Sequence, residues 1–135
     1  GLDTHREPNG WTIRQIAHHL ADVEALTYPA LLAALAEPGR EWLGNPWPPD
    51  GWAAFLDYRH RAIEPSLALF DATRASVLAL VACRPGRWHQ STRSATGSAN
   101  PTVIALIGML AGHALEHVEE IRAIRAATDG AHPAD

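Results

Sequence analysis

Apolar residues in this chain recur at spacings of three and four and never alternate with polar ones over a strand's length. Ile13, Ile16, Leu20, Val23, Thr27 and Leu31 lie on one helical face and predict a long helix from Thr12 to about Ala36. Thr12 suits the N-cap, with Gln15 three residues on completing a capping box. Pro29 is expected to kink or trim this helix, and Pro38-Gly39 to end it. Residues 38–51 hold seven Pro or Gly and read as a loop, with Trp42 and Trp47 anchoring it on the core. A short helix is expected from Trp52 to about Ala62. A further helix begins at Glu64-Pro65, where Pro suits the first turn, and runs to Cys83. Its face is Leu67, Phe70, Ala75 (or Arg74), Val77, Leu78 and Val81. Pro85-Gly86 stops it, and residues 86–100 form a polar loop. Asn100-Pro101 opens a last helix reaching about Thr128, with Val103, Ile107, Leu110, Ala114, Val118, Ile121 and Ile124 along one face. Residues 1–10 read as a connecting segment. The expected class is all-α, in a single domain over 1–135.

Composition sharpens this picture. Ala, the residue that gives up no side-chain entropy in a helix, occurs 25 times in 135 residues. The 11 basic residues are all Arg, against 15 acidic ones, for a formal charge of −4. That balance leaves no basic footprint for nucleic acid or an anionic membrane. One cysteine, Cys83, excludes an internal disulfide framework and a Cys-built zinc site, and is read as a buried small hydrophobe. No apolar run is read as long enough to span a bilayer, and no signal sequence is visible, so the expected compartment is the cytoplasm.

The candidate chemistry lies in the histidines. His113 and His117, in the run His-Ala-Leu-Glu-His, are four residues apart, so their rings project ~40° apart on a helix and can reach one ion. Both fall on the apolar stripe of the last helix. There they serve either as metal ligands or as core histidines bonded to neighbours or buried water, and spacing alone does not choose. In the first helix His19 borders the core face, whereas His18 projects away from it. A third inward histidine on a second helix favours a three-histidine metal site with an open position, the pattern of catalytic rather than structural sites. His5 and His132 are read as terminal and solvated, and His60 and His89 as loop residues. Glu120, three residues beyond His117, and Asp22, three beyond His19, are spaced to hydrogen-bond those histidines from behind, but are read first as solvated carboxylates.

Residues Trp11-Thr12-Ile13-Arg14-Gln15-Ile16-Ala17-His18-His19-Leu20-Ala21-Asp22 resemble the signature of the DinB/YfiT-like family, W-[ST]-x-R-Q-[IV]-x-x-H-L-A-D. The pair His113 and His117 matches that family's second motif. The resemblance covers about residues 10–126. It implies a four-helix bundle with a long crossover, often dimeric, whose metal ligands are His19, His113 and His117. It also implies a helix before the Trp motif, which this sequence lacks; the expectation is either such a helix in the native form or association of the chain. The implied cofactor is a divalent metal ion, zinc or nickel first, iron or manganese next.

Three functions follow as expectations. The first is a metal-dependent transferase of a low-molecular-weight thiol. Its site would have three neutral ligands, and Arg40, Arg84, Arg87 and Arg93 on the loops would bind the thiol's carboxylates or sugar. The second is a metal-dependent hydrolase. The third is a non-catalytic, dimeric metal- or ligand-binding module. The expected partners are a small-molecule substrate and a second copy of the chain, with neither nucleic acid nor membrane.

Overall fold

Thr12 starts the first helix as its sequence predicts. Its hydroxyl accepts from the Gln15 backbone N–H at 3.2 Å, and its own N–H donates to the Gln15 side chain at 2.9 Å. Two orphan donors of the first turn are thereby satisfied. In the computed structural model, which describes residues 1–5, 7, 10–43 and 49–130, this helix, α1, spans Ile13–Ala36. It continues through Pro29, an exposed residue, where a kink or an early end was expected. The other helices are α2 (Pro49–Phe55), α3 (Glu64–Cys83) and α4 (Val103–Asp129), with one 3₁₀ turn at Pro85–Arg87. The class is all-α. Among the described residues the only extended pairings are isolated bridges joining Arg93 to Glu41 and Ala99. Trp47 and His132 lie outside the described residues.

Helix α1 is the central wall, with α3 packed on one side of it and α4 on another. The core between them is Val23, Leu31, Ala34, Leu35, Val77, Val81, Val103 and Leu110. One polar tie crosses it. Glu24 of α1 is only 3% exposed and pairs with Arg74 of α3 at 2.6 Å, and the same guanidinium donates to the Leu110 carbonyl of α4 at 2.9 Å. A buried carboxylate without that partner would cost several kcal/mol, so the pair fixes how the three helices lie against each other.

Several expectations are corrected. The short helix ends at Phe55, not near Ala62, because Asp57 takes a left-handed φ of 49° that turns the chain. Tyr58 is then carried inward to 1% exposure. Cys83, the last residue of α3, is exposed and not buried. Helix α3 is long and apolar enough, by length and composition, to cross a membrane. In the bundle it is instead a wall with its outer side open, leaving Leu67 and Leu78 exposed.

The arginine-bearing loops also take a definite place. Arg87 donates to the Leu35 carbonyl at 3.1 Å, Arg84 lies beside Leu32 and Leu80, and the Arg93 N–H donates to the Arg40 carbonyl at 2.9 Å. All four sit around the C-terminal end of α1. Sixteen residues separate Leu35 from His19, or about 24 Å along the helix at ~1.5 Å per residue.

Candidate metal centre

Two helix starts set the register of the site. The Thr12 capping box places His19 in the second turn of α1. The Thr102 hydroxyl caps α4 by accepting from Ala105 N–H at 3.3 Å, and His113 follows three turns on. Packing of α1 on α4 then brings the rings together. His19 Nε2 lies 3.1 Å from His113 Nε2, which lies 3.2 Å from His117 Nε2. Ligand-type atoms of these three residues all fall within 4.8 Å of one another, the one such cluster among the described residues. His19 is buried and the other two are half-buried.

The spacing fits a metal. Zinc–nitrogen bonds of about 2.0–2.1 Å in tetrahedral geometry put ligand nitrogens ~3.3–3.4 Å apart, within a few tenths of an ångström of what is found here. Proton arithmetic points the same way. His117 Nδ1 lies 2.8 Å from the Glu120 carboxylate, which accepts only, so Nδ1 carries the proton and Nε2 presents a lone pair to the centre. His113 Nε2 would then have to serve both neighbours with at most one proton. One of the two short N···N contacts is therefore not a good hydrogen bond between neutral rings, whereas a divalent cation accepts all three lone pairs. Burial, reinforced by repulsion from His113 and His117, pushes the His19 imidazole down to about 4. Burial, then His117, also lowers His113. Both rings are thus held in the neutral form that a ligand requires.

His18 corrects the helical-wheel reading. It does not project into solvent but is fully buried on another side of α1. Its Nε2–H donates to the Arg61 carbonyl at 3.2 Å, so Nδ1 accepts from the Ser66 hydroxyl at 2.7 Å. Asp22, beside it, accepts from the Tyr58 hydroxyl and from Arg61. These contacts fasten α1 to the segment that leads into α3. Glu120, read as solvated, is the hydrogen-bond partner that sets the His117 tautomer. Its spacing from His117 was the signal. His60 pairs with Asp57 in solvent, and neither His5 nor His89 joins the centre.

Beside the triad runs an open groove of about 600 Å³ between α1 and α4. His19 and His113 form one part of its wall, and Val23, Thr27, Gly108, Met109, Gly112 and Glu116 the rest. Among the described residues no arginine lines it.

Residues 1–121 match the sequence pattern of the DinB superfamily. The chain belongs to the DinB superfamily. It is 30% identical over 123 residues to a protein of Oceanobacillus iheyensis named "Putative metal-dependent hydrolase", covering 91% of this chain and 70% of that one. A Geobacillus kaustophilus protein of the same name is 27% identical over 125 residues, covering 92% and 69%. The solved structure of YfiT from Bacillus subtilis, described as "a probable metal-dependent hydrolase with an unusual four-helix bundle topology", superimposes with a TM-score of 0.75 at 24% identity. The match covers 95% of this chain and 71% of that one. That likeness establishes the fold. The names of the relatives and the histidine cluster together point to a divalent metal.

Proposed function

We propose that this DinB-superfamily chain is a divalent-metal-dependent hydrolase with His19, His113 and His117 as the metal ligands. The observation that carries the reading is the convergence of three imidazole Nε2 atoms from two helices on one point. Three protein ligands leave a position open, as in catalytic zinc sites. A bound divalent ion would supply a water ionised near neutral pH and a Lewis acid for a carbonyl. The protein's own part is to keep the three rings neutral and aimed, and to receive the substrate in the groove. The groove's apolar residues, Val23 and Met109, favour an uncharged part of a small molecule, and about 600 Å³ lies within the range of small-molecule sites.

Transfer of a low-molecular-weight thiol uses the same electrostatics, because three neutral ligands leave the ion's full charge for a thiolate. The arginines that were to hold such a thiol stand about 24 Å away along α1, so hydrolysis is the favoured reaction. The test is to assay protein purified without a His-tag and loaded with zinc, nickel, iron or manganese. Ester and amide panels run beside bacillithiol or mycothiol with a generic electrophile. Metal-dependent ester or amide cleavage supports the proposal. Turnover only with thiol replaces it with the transferase, and stoichiometric metal with no turnover leaves a binding module. We further expect a homodimer working in the cytoplasm, with Leu67 and Leu78 on the open side of α3 as the apolar surface to be covered. A stable monomer by light scattering would contradict the dimer.

A further inference from the structure

The helix that carries two of the three histidines also carries a carboxylate with no other work. In His113-Ala-Leu-Glu116-His117, Glu116 projects ~60° from His113 and ~100° from His117 at 100° per residue. Those are the angles between glutamate and histidines in the H-E-x-x-H helix of metalloproteases, read in the opposite chain direction; the H-x-x-E-H order is itself a known zinc-hydrolase spacing. The neighbouring acids are committed. Glu119 pairs with Arg122, Glu120 with His117, Asp22 with Tyr58 and Arg61, and Glu24 with Arg74. Glu116 makes no hydrogen bond or ion pair among the described residues. It does line the groove, together with His113 of the same helix and His19 of α1. Its oxygens are not among the atoms that converge at the centre, so it stands beside the ligand set and not within it.

We propose that Glu116 is the general base of the hydrolytic step and the carrier of its proton; this rests on the metal-dependent hydrolase reading. A water at the triad end of the groove gives its proton to the Glu116 carboxylate. Its oxygen forms a bond to the acyl carbon of an ester or amide in the groove. The bond from that carbon to the leaving oxygen or nitrogen breaks, and the Glu116 carboxylic acid returns the proton to the leaving group. No oxidant, reductant or further reactant is needed. Glu116 shares the groove with His19 and His113, where both the water and the leaving group must be.

The experiment compares metal-loaded wild type with Glu116→Gln and Glu116→Asp. The position is exposed and the glutamine nearly isosteric, so folding is not at stake. Cleavage of 4-nitrophenyl acetate and of acetyl-4-nitroanilide is measured with metal stoichiometry and with acetohydroxamate binding by calorimetry. In Glu116→Gln, kcat should fall about 10²- to 10⁴-fold, the range for one general acid–base group, with KM and metal affinity unchanged. Acetohydroxamate should bind about 10- to 100-fold more weakly, for loss of one charge-assisted hydrogen bond. Glu116→Asp should recover part of kcat. Wild-type kcat and hydroxamate affinity in Glu116→Gln would overturn the proposal and leave the hydrolase standing. Loss of metal would make Glu116 a ligand and overturn it equally. A wild type that binds no metal would sink the proposed function and this role together. A wild type that binds metal but cleaves neither substrate sinks hydrolysis alone, and the hydroxamate titration still decides whether Glu116 faces the reacting position.

Discussion

His18 and His19 are adjacent in sequence and both buried, yet they do opposite things. His18 has a protein partner on each ring nitrogen, the Ser66 hydroxyl and the Arg61 carbonyl. It is a structural fastener with nothing left to offer. His19 turns its Nε2 toward two other imidazoles that cannot all satisfy one another. Burial alone therefore does not mark a functional histidine; the identity of its partners does. The same contrast separates the two ends of the bundle. The triad end has an apolar groove and one uncommitted carboxylate, whereas the loop end gathers Arg40, Arg84, Arg87 and Arg93, with the Arg87 guanidinium held by the Leu35 carbonyl.

The largest expected effect breaks this pair apart. His19→Ala, His113→Ala or His117→Ala should each abolish stoichiometric metal binding, while His18→Ala keeps it. The cost of His18→Ala should appear instead as lost stability, about 1–3 kcal/mol from leaving the Arg61 carbonyl and the Ser66 hydroxyl proton without a partner, although Arg61 still donates to the Ser66 oxygen. Elemental analysis and chemical denaturation of the four variants check both halves. Next in size is Glu120→Gln, which removes the carboxylate that sets the His117 tautomer. Metal affinity should drop about 10- to 100-fold, measured by competition with a chelator.

A pH titration of the metal-free protein should show a smaller effect. His19 is held at about 4 against an ordinary 6.5, so between those values the unfolded chain binds the proton and the folded one does not. Its contribution to stability is complete above pH 6.5 and is lost as pH falls toward 4. Denaturation midpoints across that window should decline, and His19→Gln should flatten the decline. The smallest effect is at Gly112. A Cβ there meets nothing within 4 Å, so Gly112→Ala should stabilise α4 by about 0.5–1 kcal/mol without changing metal content. Gly112→Leu should fill the groove and exclude longer acyl chains from 4-nitrophenyl esters while acetate is still accepted.

The helices and the triad were legible because they rest on periodicity. Ile16, His19 and Val23 on one helix, and Leu110, His113 and His117 on another, share faces that 100° per residue makes calculable. His18 was misplaced because a helical wheel assumes one buried face, and α1, as the central wall, is buried on more than one. The end of α2 was missed because it depends on a left-handed Asp57, which carries no strong sequence signal. Arg40, Arg84, Arg87 and Arg93 are unplaceable from sequence for a related reason. Loop residues take their position from the helix ends they cover, and only the hydrogen bonds from Arg87 to Leu35 and between residues 91–93 and 39–42 show that they lie far from the histidines.

The central claim is that three imidazoles from α1 and α4 form one metal site and that the neighbouring buried histidine does not belong to it. The most direct measurement is the metal-to-protein ratio of tag-free wild type, His19→Ala and His18→Ala, each equilibrated with the same divalent ion and desalted. The account predicts one ion per chain in wild type and in His18→Ala, and none in His19→Ala. An ion retained by His19→Ala, or absent from wild type, would contradict it.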